Sequence, residues 1–487
     1  MALKEQESDF LIPDQTVREH AQRILGNPIL EGIREETGDR VQKIIDAVFS
    51  DEKITKEFVG MIIRCTAMRG NVARAILQTV GESPDNIIQL SIGDVTLPEF
   101  ARETIAQIFR RAYELHAQST KNGETGYDVA AKGSEATRKA FIDYLDEYYD
   151  FSAVAGLKDQ LSKNCCIANG GMEALHHIAD TLACRAAENS KKYKKQYRCI
   201  SVQTDNSFNT WFSIEEKATR YDANVNITLP TKQENLLHLS PEQIDGFYNQ
   251  RRVSETTTYL WYITPVGNPS GTAMKPDQLA TVCDAIVEND PSAVIILDCV
   301  YIRTLDPKRA REILAGAIGN PEVRQRVIFI ESFSKTHGVC GERAGAFFSA
   351  NPELFGPPMN VVTTNTAGMP RFTDMEIRAF SEATPEQNAV IKQLHEFWAA
   401  ERRGLYRYLI ESGNFKDIFD EDQSHIKQED LAEPAGLYVF LKLRPGVSQK
   451  QVLMRTGCLG VIAPPMENYM RFSVGKITRP TYSVTDQ

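Results

Sequence analysis

Ser332-Phe333-Ser334-Lys335 is followed, eight residues beyond the lysine, by Arg343 inside Gly341-Glu342-Arg343-Ala344-Gly345. The run combines one amine with hydroxyl and guanidinium groups spaced to hold an anion beside it. An amine that can lose its proton forms an imine with a carbonyl compound, provided the compound's charged tail is anchored nearby. Lys335 is then the reactive group, and Ser332 with Arg343 the anchor. A lone Ser-x-Ser-Lys is more often a solvated surface lysine. Here the apolar, β-branched run Val327-Ile328-Phe329-Ile330 reads as a buried strand feeding into Ser332. Gly338, Gly341 and Gly345 then loop the chain toward a short strand, Ala346-Phe347-Phe348. Lys335 stands just beyond the carboxyl end of a core strand, where open α/β sheets bind ligands.

Four further stretches offer partners. Asn169-Gly170-Gly171-Met172 closes the strand-like Cys165-Cys166-Ile167-Ala168 and opens a helical run with Met172, Leu175, Ile178 and Leu182 at helical spacing. Glycines there let backbone N–H groups approach a phosphate, which the helix dipole favours, although many strand-to-helix turns carry glycine without that role. Phe208, after Cys199-Ile200-Ser201-Val202, could stack on a flat heterocycle; such a ring is more often core. Thr264-Pro265-Val266-Gly267-Asn268-Pro269-Ser270-Gly271-Thr272 presents Asn268 as a neutral donor to a phenolate oxygen, while Asn-Pro alone is an ordinary turn. Asp298 ends Ala293-Val294-Ile295-Ile296-Leu297, and an acid at the end of a buried strand is costly unless it meets a cation. A protonated pyridine nitrogen would serve, with Tyr301 reaching the ring oxygen from the same loop; so would a structural salt bridge.

The elements that must position these groups follow from the pattern. From the run at 87–92 to Ser349, short apolar stretches alternate with helical ones, which predicts βαβ units and a mostly parallel sheet flanked by helices. Thr384 to Gly413 reads as one long helix or two in series. Ala435-Gly436-Leu437-Tyr438-Val439-Phe440-Leu441 alternates as a half-covered antiparallel strand would, so a smaller α+β domain follows. Before about Asp85, Val41, Ile44, Ile45, Val48 and Phe49 recur with helical period and suggest an arm.

At 487 residues the chain has room for two domains. A net charge of −10 argues against a general nucleic-acid surface. No apolar run approaches the ~18 residues of a membrane span. Nine cysteines without Cys-x-x-Cys spacing, after a polar and acidic first ten residues, point to a reducing cytoplasm. His176 and His177 lack metal-ligand spacing, and no metal is expected.

Together these stretches resemble the class I and II aminotransferases, fold-type I pyridoxal-phosphate enzymes, from about Leu90 to Gly475. The landmarks stand in that family's order: Leu90-Ser91-Ile92-Gly93-Asp94; Gly126-Tyr127 with Gly133 and Arg138; Asn169-Gly170-Gly171; Asn268-Pro269-Ser270-Gly271; Asp298 with Tyr301; Ser332 to Gly345; and Tyr469-Met470-Arg471-Phe472-Ser473. The resemblance implies an aminotransferase-like α/β fold. Residues 1–100 would form an arm and part of the small domain, 101–390 the large cofactor-binding domain, and 391–487 the C-terminal small domain.

It also implies pyridoxal 5'-phosphate as cofactor. Lys335 would hold it as a Schiff base and, once freed by substrate, move the α proton. Asp298 would keep the ring nitrogen protonated, Asn268 and Tyr301 would bind the phenolic oxygen, and Phe208 would stack on the ring. Gly171, Met172, Ser332 and Arg343 would hold the phosphate. Tyr127 would reach the phosphate of a neighbouring subunit, which implies a homodimer with shared active sites. Arg471 would grip the substrate α-carboxylate in a bidentate fork, with Gly93 and Asn268 completing the substrate contacts. Met172 and Glu173 depart from the polar residues common at that turn, so Glu173 must point away from a phosphate. No arginine lies between Phe348 and Pro370, where some relatives carry one for a dicarboxylate side chain.

Transamination between an amino acid and a 2-oxo acid is the leading reading. Elimination, replacement or cyclisation share its carbanion, and cofactor motifs do not separate them. A non-catalytic binding protein would have had no need of Lys335 or Asp298, and both are present.

Overall fold

The computed structural model describes residues 88–90, 93–124, 126, 131–205, 207, 224–251, 253–356, 369–411, 415–426, 431, 433, 435–447, 461–462, 465–466 and 468–479. The arm expected before Asp85 lies outside the described residues, as do Ser91, Ile92, Tyr127 and Phe208. In chain order the strands are β1 (Ile88–Gln89), β2 (Cys165–Asn169), β3 (Arg198–Thr204), β4 (Asn224–Leu229), β5 (Thr257–Ile263), β6 (Val294–Asp298), β7 (Val327–Ser332), β8 (Ala344–Phe348), β9 (Tyr438–Lys442), β10 (Val461–Ile462), β11 (Pro465–Met466) and β12 (Tyr469–Ser473). Two compact units share them. One holds the described residues of Leu97–Ala400 and Ser424–Gly436; the other holds those of Met1–Thr96, Glu401–Gln423 and Leu437–Gln487.

The larger unit is built on a seven-stranded sheet in the order β2-β8-β7-β6-β5-β3-β4. Every neighbouring pair is parallel except those made by β8. β6 and β7 are buried at every residue, as their continuous apolar runs require of parallel strands covered on both faces. The helix Gly170–Tyr193 packs on β7 and β8, while Glu135–Tyr149, Pro307–Gly319 and Pro276–Asn289 pack in series. Side-chain caps start two of them: Ser134 Oγ accepts from Thr137 N, and Asp306 from Lys308 N.

This topology sets the chemistry-bearing residues on one edge. β2, β5, β6 and β7 run the same way, so their carboxyl ends, Asn169, Ile263, Asp298 and Ser332, fall together. β8 returns from that same edge, with Ala344 opposite Asn169 and Gly345 opposite Ser332, which brings Arg343 in beside them.

In the smaller unit β9, β12 and β11 form an antiparallel sheet, and β1 pairs with β10 in parallel. β9 is antiparallel as its sequence predicts, but residues 438–441 are buried on both faces rather than one. The face expected to meet water carries Tyr438 and Phe440; Phe440 stacks on Tyr469 with ring centroids 4.7 Å apart, and the Arg471 guanidinium lies 4.9 Å from the Tyr438 ring. The segment read as one long helix or two is one, Pro385–Tyr406, finished by a π-helical turn at Arg407–Glu411. Among the described residues no helix is long and apolar enough to cross a membrane.

Candidate active site

Lys335 sits on a single helical turn, Phe333–Thr336, that continues β7 directly. Ser332 starts it: Ser332 Oγ accepts from Ser334 N at 3.1 Å and donates to Ala344 O at 2.8 Å, tying the turn to β8. Ser332, expected as a phosphate ligand, therefore also has a structural task. His395 Nε2 donates to Thr336 O at 2.7 Å on the far side of the lysine. Lys335 is half-buried, and its Nζ donates to Cys340 Sγ at 3.3 Å.

Behind the turn lies a polar cluster that sequence reading missed. Arg303 Nε donates to Glu331 Oε2 at 3.1 Å, Arg303 Nη2 donates to Ser332 O at 2.9 Å, and Tyr149 donates to Glu331 Oε1 at 2.7 Å. Charged residues in a surface-poor stretch gave no periodic signal, because their partners come from distant segments.

Asp298 is 7 % exposed at the end of β6. It accepts from the Tyr262 phenol and, at 3.3 Å, from Val300 N. Burial lifts its carboxyl above the ordinary carboxylate value, opposed by Tyr262, by the Val300 N–H and by the positive charge of Lys335. Burial, with the neighbouring carboxylate, also holds the Tyr262 phenol well above its ordinary value, so it remains a donor. Tyr262 reads in sequence only as part of the strand Leu260-Trp261-Tyr262-Ile263; nothing local marks which tyrosine meets the acid.

The turn after β2 is built around the Arg343 guanidinium. Gly170 has φ +77°, and a Cβ there would lie 2.8 Å from Arg343 Nη2. Across the same corner, a Cβ on Gly345 would lie 2.8 Å from Gly170 Cα. Two glycines thus let β8, the helix start and the guanidinium converge. Glu173 turns back, its carboxylate accepting from Asn169 N at 2.6 Å and from Asn169 Nδ2 at 3.2 Å. It caps the helix and leaves the N–H groups of Gly171 and Met172 out of that cap.

Asn268 is 8 % exposed in a turn closed by Gly267 N to Thr272 O at 2.8 Å and Gly271 N to Gly267 O at 2.9 Å. Beneath it, His238 Nε2 donates to Thr272 O at 3.1 Å. Tyr301 is buried, three residues beyond Asp298 at the start of a short 3-10 helix. Gly436 lies beside its ring, where a Cβ would make an ordinary contact at 3.5 Å from Tyr301 Cδ1.

In the smaller unit Gly93 and Arg471 meet around one residue that the sequence did not single out. The Tyr438 ring lies under the Arg471 guanidinium, and its hydroxyl occupies the space a Gly93 side chain would need. Lys476 pairs with Asp94 beside them.

The larger unit therefore gathers Lys335, Asp298, Asn268, Tyr301, Ser332, Gly171, Met172 and Arg343 on the carboxyl edge of its sheet, and the smaller unit gathers Gly93 and Arg471. Tyr127 and Phe208 lie outside the described residues. Among the described residues no group of three or more His, Cys, Asp or Glu side chains is placed to hold a metal.

Residues 209–411 match the family described as aminotransferase class I and II, a span that includes Asn268, Asp298, Tyr301, Lys335 and Arg343. An aspartate aminotransferase double mutant from Thermus thermophilus shares the fold at TM-score 0.61 and 15 % identity, over 86 % of this chain and 94 % of that one. Aspartate aminotransferase from Thermotoga maritima does so at 0.60 and 16 %, over 86 % and 94 %. An aromatic aminotransferase from Pyrococcus horikoshii does so at 0.59 and 16 %, over 82 % and 92 %. No curated protein matches the chain. At these identities the likeness to solved structures is one of fold. Residues 209–411 thus match the model of the class I and II aminotransferases, and the chain is built on the fold of the aminotransferases it resembles.

Proposed function

We propose that the chain transfers an amino group between an amino acid and a 2-oxo acid, with pyridoxal 5'-phosphate bound at Lys335. The observation that carries this reading is the convergence of Lys335, Asp298, Asn268 and the Gly170–Arg343 contact on one sheet edge. The donor set suits the cofactor. Asp298 is buried with a phenol and a backbone N–H for partners, and among the described residues it forms no ion pair, so a protonated ring nitrogen would supply the positive charge it needs. The corner at Gly170, which a Cβ would close against Arg343, suits a phosphate held by helix-terminal N–H groups and a guanidinium.

When bound, the cofactor supplies a carbonyl carbon for imine exchange and a ring that takes up the electron pair left at Cα. Lys335 Nζ takes the α proton and returns it one carbon away, as a half-buried amine on a rigid turn can. Asp298 keeps its charge through Tyr262 and the Val300 N–H, and Asn268 and Tyr301 donate to the ring oxygen. Ser332, Gly171, Met172 and Arg343 orient the phosphate. Arg471, supported by Tyr438, binds the substrate α-carboxylate, and Gly93, whose missing side chain makes room for the Tyr438 hydroxyl, completes the substrate contacts. The Tyr127 motif supports a homodimer with shared active sites, and the cysteine pattern supports the cytoplasm as its location.

The test is direct. Protein loaded with pyridoxal phosphate and reduced with borohydride should carry the cofactor covalently on Lys335, read by peptide mass spectrometry. Loaded protein given pooled amino acids and no oxo acid should accumulate pyridoxamine phosphate. Multiple-turnover release of ammonia would reject transamination in favour of elimination.

A further inference from the structure

We propose that Lys335 and Cys340 form a reversible sulfur–nitrogen bridge under peroxide, a modification site that takes the reactive amine out of use. Lys335 Nζ lies 3.3 Å from Cys340 Sγ, and both side chains are half-buried, so a small oxidant reaches the sulfur. The thiol is held toward the amine. Its S–H donates to Ser334 O at 3.0 Å, and Arg343 Nη1 donates to Cys340 O at 3.2 Å, which pins the loop on both sides of the sulfur. Cys165, Cys166, Cys283 and Cys299 offer no competing target: burial holds each thiol well above its ordinary range, protonated and shielded.

The chemistry balances with a hydroperoxide as oxidant. The sulfur attacks the peroxide, the O–O bond breaks, and Cys340 becomes a sulfenic acid while the oxidant leaves as water or an alcohol. The Lys335 lone pair then attacks sulfur, the S–O bond breaks, and the departing hydroxide takes a proton from the amine as water. The product is a Cys340 Sγ–Nζ Lys335 bond. Two thiols reverse it: the first displaces the amine from sulfur, and the second releases Cys340 as a thiol and leaves a disulfide. Because the lysine must be unoccupied, the bridge belongs to the cofactor-free chain, where it spares Cys340 from irreversible oxidation. That consequence rests on the proposed cofactor role of Lys335; the bridge itself does not.

Full-length protein freed of cofactor is treated with hydrogen peroxide and digested with trypsin. Free Lys335 gives two peptides, Val327–Lys335 and Thr336–Arg343, because Arg326, Lys335 and Arg343 are all cleavage sites. The bridge should leave a single peptide, Val327–Arg343, lighter by two hydrogens than the simple uncut peptide; dithiothreitol should restore those hydrogens, and renewed trypsin should then give the two fragments. Cys340→Ser should give the two fragments throughout. Recovery of Cys340 as sulfenic or sulfinic acid with Lys335 still cleavable, or of Cys340 joined to another cysteine, would overturn the proposal. Borohydride trapping of pyridoxal phosphate on untreated protein separates the two readings. A bridge without cofactor on Lys335 would reject the cofactor role and leave the bridge standing.

Discussion

The Arg303 guanidinium meets the Glu331 carboxylate at 3.1 Å, with side chains 1 % and 0 % exposed, four residues before Lys335 in the chain. Tyr149, the Ser332 N–H and Arg303 Nε donate to that carboxylate, and Arg303 Nη2, in ion-pair contact with it, donates to Ser332 O. Burial raises the Glu331 carboxyl above its ordinary value, and Arg303 is the largest opposing influence. A buried pair of this kind contributes little net stability but is costly to break. Arg303→Met should therefore destabilise the chain by about 3–5 kcal/mol, whereas Arg303→Met with Glu331→Leu should recover most of that loss. Urea denaturation of both variants decides it. A double variant no more stable than the single one would show that the cost is packing rather than a stranded charge.

Asp298 gives a pH dependence whose direction follows from its burial. Its folded-state carboxyl titrates above its unfolded value, so below the unfolded value both states are protonated and its contribution is fully present. That contribution is lost as pH rises from the unfolded value through the raised folded one. The stability difference between the wild type and Asp298→Asn, measured without cofactor, should fall with pH across that window and then level off. Tyr262→Phe removes a donor to the ionised form and should move the window to higher pH. Pyridoxal phosphate should reverse the trend in the wild type and not in Asp298→Asn. Parallel denaturation curves at every pH would show that Asp298 is not held in a costly ionised state.

How far the sequence carried this site is clearest at Lys335 and Asp298. Each ends an apolar run that is legible as a core strand, and a parallel sheet then places both on one edge. The turn glycines at 170 and 345 were equally legible, because a close backbone approach leaves glycine as its mark. Tyr262, Tyr438 and the Arg303–Glu331 pair were not. Their importance depends on register between strands distant in sequence, and an aromatic within an apolar run looks the same whether it fills core or donates to an acid. Glu173, expected to point away from a phosphate, turns back onto Asn169 at the helix start, a bond that no local pattern announced. The half-covered reading of β9 failed because Tyr438 and Phe440 find cover from Arg471 and Tyr469, which only the folded sheet brings alongside.

The glycines at the phosphate corner should separate binding from folding. Gly170→Ala forces a side chain into φ +77° and against the flexible end of Arg343, so strain of roughly 1–2 kcal/mol comes with a displaced guanidinium. Pyridoxal phosphate affinity should drop about tenfold or more, since one 1.4 kcal/mol step is tenfold in binding. Gly345→Ala drives a methyl into the Gly170 backbone, which has no side chain to yield. Its effect should appear in stability, at about 1–3 kcal/mol by denaturation. Equal affinity losses with no difference in stability would contradict this division.

Buried histidines should make the fold sensitive to mild acid. His395 and His238 are each pushed down to about 4 by burial, although each donates to a carbonyl, Thr336 O and Thr272 O. Near pH 7 both states are neutral and these residues cost nothing. As pH falls below the unfolded value of about 6.5, the unfolded chain takes up protons that the folded chain refuses, and stability declines until pH reaches the folded value. A shift of this size corresponds to roughly 3 kcal/mol per histidine at the acid end of the window. His395→Gln keeps a donor toward Thr336 O and cannot titrate. Its stability relative to wild type should therefore rise as pH is lowered from 6.5 toward 4, and His238→Gln should behave likewise for the Asn268 turn. Urea midpoints across that range provide the measurement. If the variants track the wild type at constant offset, the histidines are protonated at little cost and acid loss must begin elsewhere. Because His395 holds the carbonyl next to Lys335, its protonation should also loosen the lysine turn before global unfolding. Hydrogen exchange at the amides of 334–337 should then rise ahead of exchange in β6 as pH falls.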